Sequence, residues 1–300
     1  TWAFASQVYG SVAEKDALTA IAAAYDAGIT FYDTAPLYGT KEIDGVAETI
    51  LGKGVRDFRQ KIVISTKFGR NPTEGNAPNF HARRATESVE ASLQRLGTDY
   101  LDVLFFHSPF SPTEIDDDVW AALDKLKQQG KVRFIGHSIS MFADTQQMAR
   151  DWAAERKIDV IQVVYSLMNR EAAGLIADLG KQNIGIVARE SLANGFLSGK
   201  ITKETVFPKG HINSRYSKEE IAERVDYVDK LKPLVRGDIR TVPQAAMRWV
   251  LDQQGVSLVL SGARNQQEIL DCAQASDAKP YSAAELEFAR KAHVRDFQAA

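Results

Sequence analysis

Two periods of apolar and polar positions alternate along the 300 residues of this chain. β-branched and aromatic runs recur as ITFYDTA (29–35), KIVISTK (61–67), YLDVLFFH (100–107), VRFIGHS (132–138), VIQVVYS (160–166), IGIVARE (184–190) and VSLVLSG (256–262). Between them, 13–27, 46–51, 85–96, 119–129, 145–155, 172–182 and 242–253 repeat their apolar positions with helical spacing. A strand followed by a helix, repeated, predicts parallel strands joined by crossover helices. With TWAF (1–4) expected to be an eighth strand cut short at Thr1, the seven units predict one domain over 1–300, a (β/α)8 TIM barrel with long loops at its C-terminal face. The open doubly wound alternative needs a dinucleotide fingerprint. Its one candidate, GKGVRD at 52–57, follows a helical pattern and lacks a third glycine, so it reads as a helix C-cap and turn.

Composition narrows the class. A mass of 33.1 kDa allows a large core, and 44% hydrophobic with 25% charged residues is ordinary for a soluble globular domain. The net charge of −2, with both signs mixed along the chain, argues against a nucleic-acid partner or a polybasic membrane surface. Cys272 is the single cysteine and cannot form an internal disulfide. No apolar run approaches the ~18 residues of a membrane span, and no secretory pattern opens the chain, so a cytoplasmic location is the expectation. The longest interruptions, 69–81 and 193–241, fall after strand runs, where barrel enzymes keep substrate contacts.

Candidate chemistry collects at the strand ends. Asp33, Lys67, His107, Ser138, Gln162, Arg189 and Glu190 close runs that are otherwise apolar, and in a barrel these positions share the rim that carries the active site. Tyr38 follows Asp33 in FYDTAPLYGT. A nearby ammonium favours a phenolate and lowers a tyrosine pKa from its usual ~10. Lys67 supplies that charge, Asp33 pairs with Lys67, and His107 donates to a substrate oxygen. Such a group protonates a carbonyl oxygen while hydride reaches the carbon, which makes a carbonyl reductase. Lys67 at a strand end also suits a Schiff-base aldolase. GHSIS (136–140) lacks the last glycine of a hydrolase elbow, and the five histidines show no metal-ligand spacing, so no metal is expected.

GITFYDTAPLYG, ISTKFG and DVLFFHSP, read together, resemble the aldo-keto reductase superfamily across the whole chain. The intervals of five residues from Asp33 to Tyr38 and twenty-nine from Tyr38 to Lys67 are similar to that family's tetrad spacing. The resemblance implies Tyr38 as general acid, Lys67 as its activator, Asp33 as the partner of Lys67 and His107 as the residue that orients the carbonyl. It implies NADPH lying extended over the barrel mouth without a Rossmann domain. The implied cofactor contacts begin with Trp2, Asp33, Ser138 and Gln162, and continue with Arg189 stacking on the nicotinamide, although Ile139 stands where an Asn is common. SLANGFLSGK resembles the pyrophosphate loop, with Leu192, Gly195, Leu197 and Lys200 in matching places and Ser191 replacing a usual Pro. LSGARNQQEILDCA resembles the adenosine 2′-phosphate segment, with Gly262 for close approach and Arg264 for the phosphate, while Glu268 and Cys272 replace a Gln and an Asn.

Trp2, Tyr38, Phe68 and His107 are the implied substrate contacts. The loops due over the mouth are rich in Asn, Thr, His and Arg, which suits a small-molecule carbonyl of polar, carbohydrate-like type. A cofactor-binding regulatory subunit resembling the channel-associated members of the family is a further possibility.

Overall fold

The computed structural model describes residues 1–5, 12–140 and 142–297. Seven parallel strands pair in chain order: β1 (Phe31–Asp33), β2 (Val63–Phe68), β3 (Leu101–His107), β4 (Val132–Ser138), β5 (Val160–Val164), β6 (Gly185–Arg189) and β7 (Leu258–Val259). Sequential order with parallel pairing and crossover helices is the connectivity of the (β/α)8 fold. Helix α1 (Glu14–Asp26) precedes β1, and the crossovers that follow carry α2 (Val46–Val55), α3 (Ala82–Leu96), α4 (Asp118–Gln128), α5 (Phe142–Ala154) and α6 (Ala173–Gly180). After β6 come α7 (Lys218–Leu231) and α8 (Val242–Leu251), and after β7 come α9 (Gln266–Ala273) and α10 (Ala283–Ala292). Helix α9 packs against α1, so the outer ring of helices closes where β7 and β1 are the two edges of the sheet.

Side chains alternate between two cores. One face of each strand meets the helices in a large apolar cluster that includes Ile64, Leu104, Phe106, Ile161 and Ile186. The other face points inward and is filled by Val103, Phe105, Val160 and Val187, with Phe31, Val63, Leu258 and Leu260 packed on them. Burying each such aliphatic or aromatic side chain contributes roughly 1.5–3 kcal/mol. Because the alternation has a period of two, residues two apart share a face. The inner face therefore continues upward through Asp33, Lys67, His107, Ser138, Gln162 and Arg189. Register fixes their height: Asp33 pairs with Ser65, Lys67 with Phe105, His107 with Ser138 and Ser138 with Gln162.

Three expectations need correction. Trp2–Phe4 forms a 3-10 turn and not a strand, and the Thr1 amino group donates to the Asp33 carbonyl at 2.8 Å. Gly52 and Gly54 lie inside α2 and do not cap it. A Cβ at Gly52 would stand 2.6 Å from the Leu96 carbonyl oxygen and one at Gly54 2.9 Å from Ile21, so these glycines let α2 lie close against α3 and α1. The interruption at 193–241 contains α7, whose start is a capping box in which Ser217 and Glu220 satisfy each other's backbone N–H groups. That signature, S-x-x-E in YSKEE, is plain in the sequence, as is the equivalent Ser282/Glu285 pair that starts α10. Among the described residues, no helix is long and apolar enough to cross a membrane.

Candidate active site

The rim side chains converge on one buried ion pair. Lys67 comes from the last turn of the inner face of β2, and its Nζ donates to Asp33 Oδ1 and Oδ2 at 2.8 and 2.7 Å, to the Thr34 carbonyl at 2.9 Å and to Tyr38 Oη at 3.1 Å. Asp33 Oδ1 also accepts from Ser65 Oγ at 2.8 Å and from Gln162 Nε2 at 2.9 Å. Ser138 Oγ in turn donates to Gln162 Oε1 at 3.4 Å. One chain of hydrogen bonds thus runs from Ser138 on β4 to Tyr38 in the loop after β1.

Burial sets the protonation states. For Asp33, burial alone would raise the pKa, but the Lys67 ammonium and the bonds from Lys67 and Gln162 bring it below the ordinary carboxylate range. Burial would lower Lys67, yet Asp33 first and Tyr38 second hold it above its usual value. A Schiff-base nucleophile needs a neutral amine, and this pair keeps Lys67 charged.

Tyr38 corrects the sequence reading. Its hydroxyl is raised above 10, because burial outweighs the lowering by Lys67, and Asp33 adds to the rise. The phenol therefore rests protonated, with an ammonium placed to stabilise the phenolate it would leave behind. His107 is pushed well below its usual value, first by burial and then by Lys67, Arg189 and Arg70, so it is a neutral imidazole at the mouth.

Around the phenol lie Trp2, stacked on the Tyr38 ring with centroids 6.2 Å apart, and His107, edge-on at 6.0 Å. Phe68 does not join them. It is one residue past Lys67 and so faces outward, fully buried, with its ring 4.7 Å from Phe106 and 5.8 Å from Phe80. Its expected role as a substrate contact is not met, because the barrel wall separates it from the mouth.

Two residues that the sequence reading passed over support the site. Ser65 shares the inward parity of Lys67 and reaches Asp33 directly. Arg70 is buried two residues beyond β2, and its guanidinium donates to the carbonyls of His107 at 3.0 Å, Ser108 at 3.0 Å and Asn76 at 2.8 Å. It thereby joins the loops after β2 and β3 behind His107. Backbone strain marks the same rim: Ser108 and Glu190, each following a rim residue, have φ values of 54° and 56°.

From this centre the rim continues to β6 and β7 and the loops that follow them. Ser138 and Gln162, next to the centre, are both buried. Arg189 donates to the Ile139 carbonyl at 3.1 Å and pairs with Glu190, while its Nε is buried without a partner among the described residues. In the loop after β6, Ala193, Asn194 and Gly195 all take positive φ. Ser191 is buried, and its Oγ donates to the Tyr165 carbonyl at 3.2 Å, so it braces this loop from behind. Leu192 lies partly exposed and Leu197 is buried, and the N–H groups of Gly195 and Leu197 both donate to the Leu192 carbonyl within the loop. At the far end, Lys200, Arg264 and Glu268 meet: Glu268 Oε1 accepts from Lys200 Nζ at 2.9 Å and from Arg264 Nη2 at 3.0 Å. Gly262 has open space where a Cβ would be. Cys272 is buried on the inner side of α9, where burial pushes its thiol up to about 11. The Ser138 hydroxyl, the Gln162 amide, a guanidinium with a spare donor and the two cations Lys200 and Arg264 form a donor set whose chemistry fits a nicotinamide dinucleotide. Among the described residues, no group of His, Cys, Asp and Glu could hold a metal ion.

Much of the polarity of the mouth loops is used internally. Asn71 and Thr73 donate to Asp44, His81 caps α3 by accepting from the Arg84 N–H, and Asn213 donates to the Asn194 carbonyl. Their composition is therefore weaker support for a sugar than the sequence alone suggests.

The model of the aldo/keto reductase family matches residues 1–292. The aldo-keto reductase YhdN of Bacillus subtilis is 33% identical over 273 residues, covering 88% of this chain and 80% of the relative. The NADH-specific methylglyoxal reductase of Escherichia coli is 30% identical over 278 residues, with coverages of 87% and 82%. Among solved structures, the glycerol dehydrogenase AKR11B4 from Gluconobacter oxydans shares the fold with a TM-score of 0.78 at 26% identity, covering 97% of this chain and 87% of that one.

Proposed function

The chain belongs to the aldo/keto reductase family, NAD(P)-dependent oxidoreductases of carbonyl and alcohol groups, and we propose from that premise that it reduces a small polar aldehyde or ketone of carbohydrate-like type with Tyr38 as the general acid. The observation that carries this reading is the Lys67–Tyr38 contact inside a buried ion pair. When bound, the cofactor supplies hydride to the carbonyl carbon. The remaining work belongs to the chain's own residues. His107, neutral and beside the phenol, donates to the carbonyl oxygen and fixes its position. Tyr38 gives that oxygen its proton. Lys67 stabilises the resulting phenolate, and Asp33, with Ser65 and Gln162 on its carboxylate, holds Lys67 in place and charged. Electrostatic support prearranged in a dry site is worth far more than the same charge in water.

Ser138 and Gln162 would hold the nicotinamide carboxamide, Arg189 would stack on the ring, and the 191–200 loop would hold the pyrophosphate with its backbone N–H groups. Arg264 and Lys200 favour NADPH by offering two cations to a 2′-phosphate. The substrate class is supported by the small size and polarity of what two similar proteins are named for, methylglyoxal and glycerol.

The test is reduction of a panel of small hydroxy-aldehydes, aldoses, aromatic aldehydes and steroid ketones, followed at the nicotinamide absorbance with NADPH and with NADH. Highest kcat/KM on the small hydroxylated carbonyls supports the reading, and preference for the large apolar ketones overturns its substrate part.

A further inference from the structure

Outside the reacting centre, the most unusual arrangement of charge is the junction of Lys200, Arg264 and Glu268. The Glu268 carboxylate, on the first turn of α9, accepts four hydrogen bonds. Oε1 accepts from Lys200 Nζ at 2.9 Å and Arg264 Nη2 at 3.0 Å, and Oε2 accepts from the Arg264 backbone N–H at 3.1 Å and from its Nε at 3.5 Å. Asn265 caps the helix by accepting from the Glu268 N–H at 3.0 Å, which fixes the root of the side chain. Lys200 lies in the loop between β6 and α7 and Arg264 in the loop between β7 and α9, so Glu268 ties these two loops together. Its side chain is 20% exposed, whereas those of Lys200 and Arg264 are 66% and 47% exposed.

Four N–H donors converging on one anion form an oxyanion site, and here the protein's own carboxylate fills it. Bonds from Arg264 and Lys200 overcome burial and hold Glu268 down at about 2, so it remains an anion at any working pH. A phosphate brought to Arg264 must take donors from Glu268 and stand beside its charge. A hydroxyl in the same place can instead donate to it. The three residues together carry one surplus positive charge, so a phosphate dianion is received without full neutralisation.

We propose that Glu268 is a specificity-determining residue, an internal competitor for the ribose 2′-phosphate that narrows the preference for NADPH over NADH by occupying Arg264 and Lys200. This rests on the reading that the adenosine end of the cofactor lies over Arg264. Like charge at hydrogen-bond distance on a partly solvated surface opposes binding by about 10-fold or more.

The experiment measures dissociation constants by calorimetry for NADPH, NADH, adenosine 2′,5′-bisphosphate and ADP with wild type, Glu268→Gln and Arg264→Ala, with circular dichroism and thermal melting checking each fold. Gln keeps the shape and removes the charge. Glu268→Gln is expected to tighten NADPH and adenosine 2′,5′-bisphosphate by about 10-fold while NADH and ADP stay the same or weaken. An unchanged NADPH-to-NADH ratio overturns the proposal, as does equal tightening of all four ligands, which would report only a change in general field. Glu268→Ala repeats the comparison if Gln disturbs α9, and the same two outcomes decide it. Arg264→Ala separates this proposal from the cofactor reading beneath it. Selective loss of NADPH in that variant with no response in Glu268→Gln removes the role of Glu268 alone, whereas equal loss of both cofactors removes the placement of the 2′-phosphate.

Discussion

Lys67 Nζ lies 3.1 Å from the Tyr38 hydroxyl and 4.8 Å from the centre of the same ring, so the ammonium faces both the oxygen and the π-cloud of one phenol. Of the charges that lower the Tyr38 pKa, Lys67 is the largest. Lys67→Met keeps most of the stem and removes that charge, so the Tyr38 pKa should rise further above 10. Carbonyl reduction is expected to fall by at least ~100-fold, since the phenolate is left unsupported. The alkaline limb of alcohol oxidation, which needs the phenolate, should move to higher pH. Full pH–rate profiles in both directions check this, and an unshifted limb with normal turnover would take Lys67 out of the chemistry.

The meeting of Asp33, Lys67, Ser138 and Gln162 was legible in the sequence because strand ends of a parallel barrel share a rim and a period of two fixes which side chains face in. Parity also held answers that were not used. Lys67 facing inward requires Ser65 inward and Phe68 outward, which is where they are. What the sequence could not give is the balance of opposed effects on Tyr38: an ammonium at 3.1 Å lowers its pKa, but complete burial raises it more. Nor could composition show that Asn71 and Thr73 are spent on Asp44, because that contact joins loops 27 and 29 residues apart. The 3-10 turn at Trp2–Phe4 has no periodicity that sets it apart from a short strand.

His137 supplies a prediction about stability. It points outward from β4, fully buried, with its ring 4.8 Å from that of Trp152 and neither nitrogen partnered among the described residues. Burial lowers its pKa to about 3, against ~6.5 in an unfolded chain. Between those values the unfolded state binds the proton and the folded state does not, so stability falls on acidification by about 1.4 kcal/mol per pH unit. His107 acts in the same direction and is present in both proteins. His137→Phe should therefore lose about 1.4 kcal/mol less than wild type between pH 6 and pH 5. Urea unfolding at the two pH values measures it, and parallel losses would mean that His137 carries a proton in the folded state.

Cofactor choice is tested at Arg264, whose guanidinium is half exposed and shared with Glu268. A charge-assisted bond to a phosphate contributes roughly 1.5–3 kcal/mol, and solvent screening places this one at the low end. Arg264→Ala is expected to weaken NADPH by about 10-fold and leave NADH nearly unchanged. Fluorescence titration of both cofactors compares them, and equal losses would show that Arg264 makes no contact particular to the 2′-phosphate.

The central claim, that the Tyr38 phenol is the proton donor, is tested most directly by single-turnover reduction in Tyr38→Phe. The substitution removes one oxygen, leaves the ring beside Trp2 and His107, and leaves Lys67 paired with Asp33, so the fold and the residues proposed to hold the cofactor should stand. With cofactor saturating and its dissociation constant measured in the same preparation, the rate of nicotinamide oxidation on a good substrate is expected to drop by at least ~100-fold while cofactor affinity changes little. Near-normal single-turnover rates with normal cofactor binding would contradict the account and place the proton on another group.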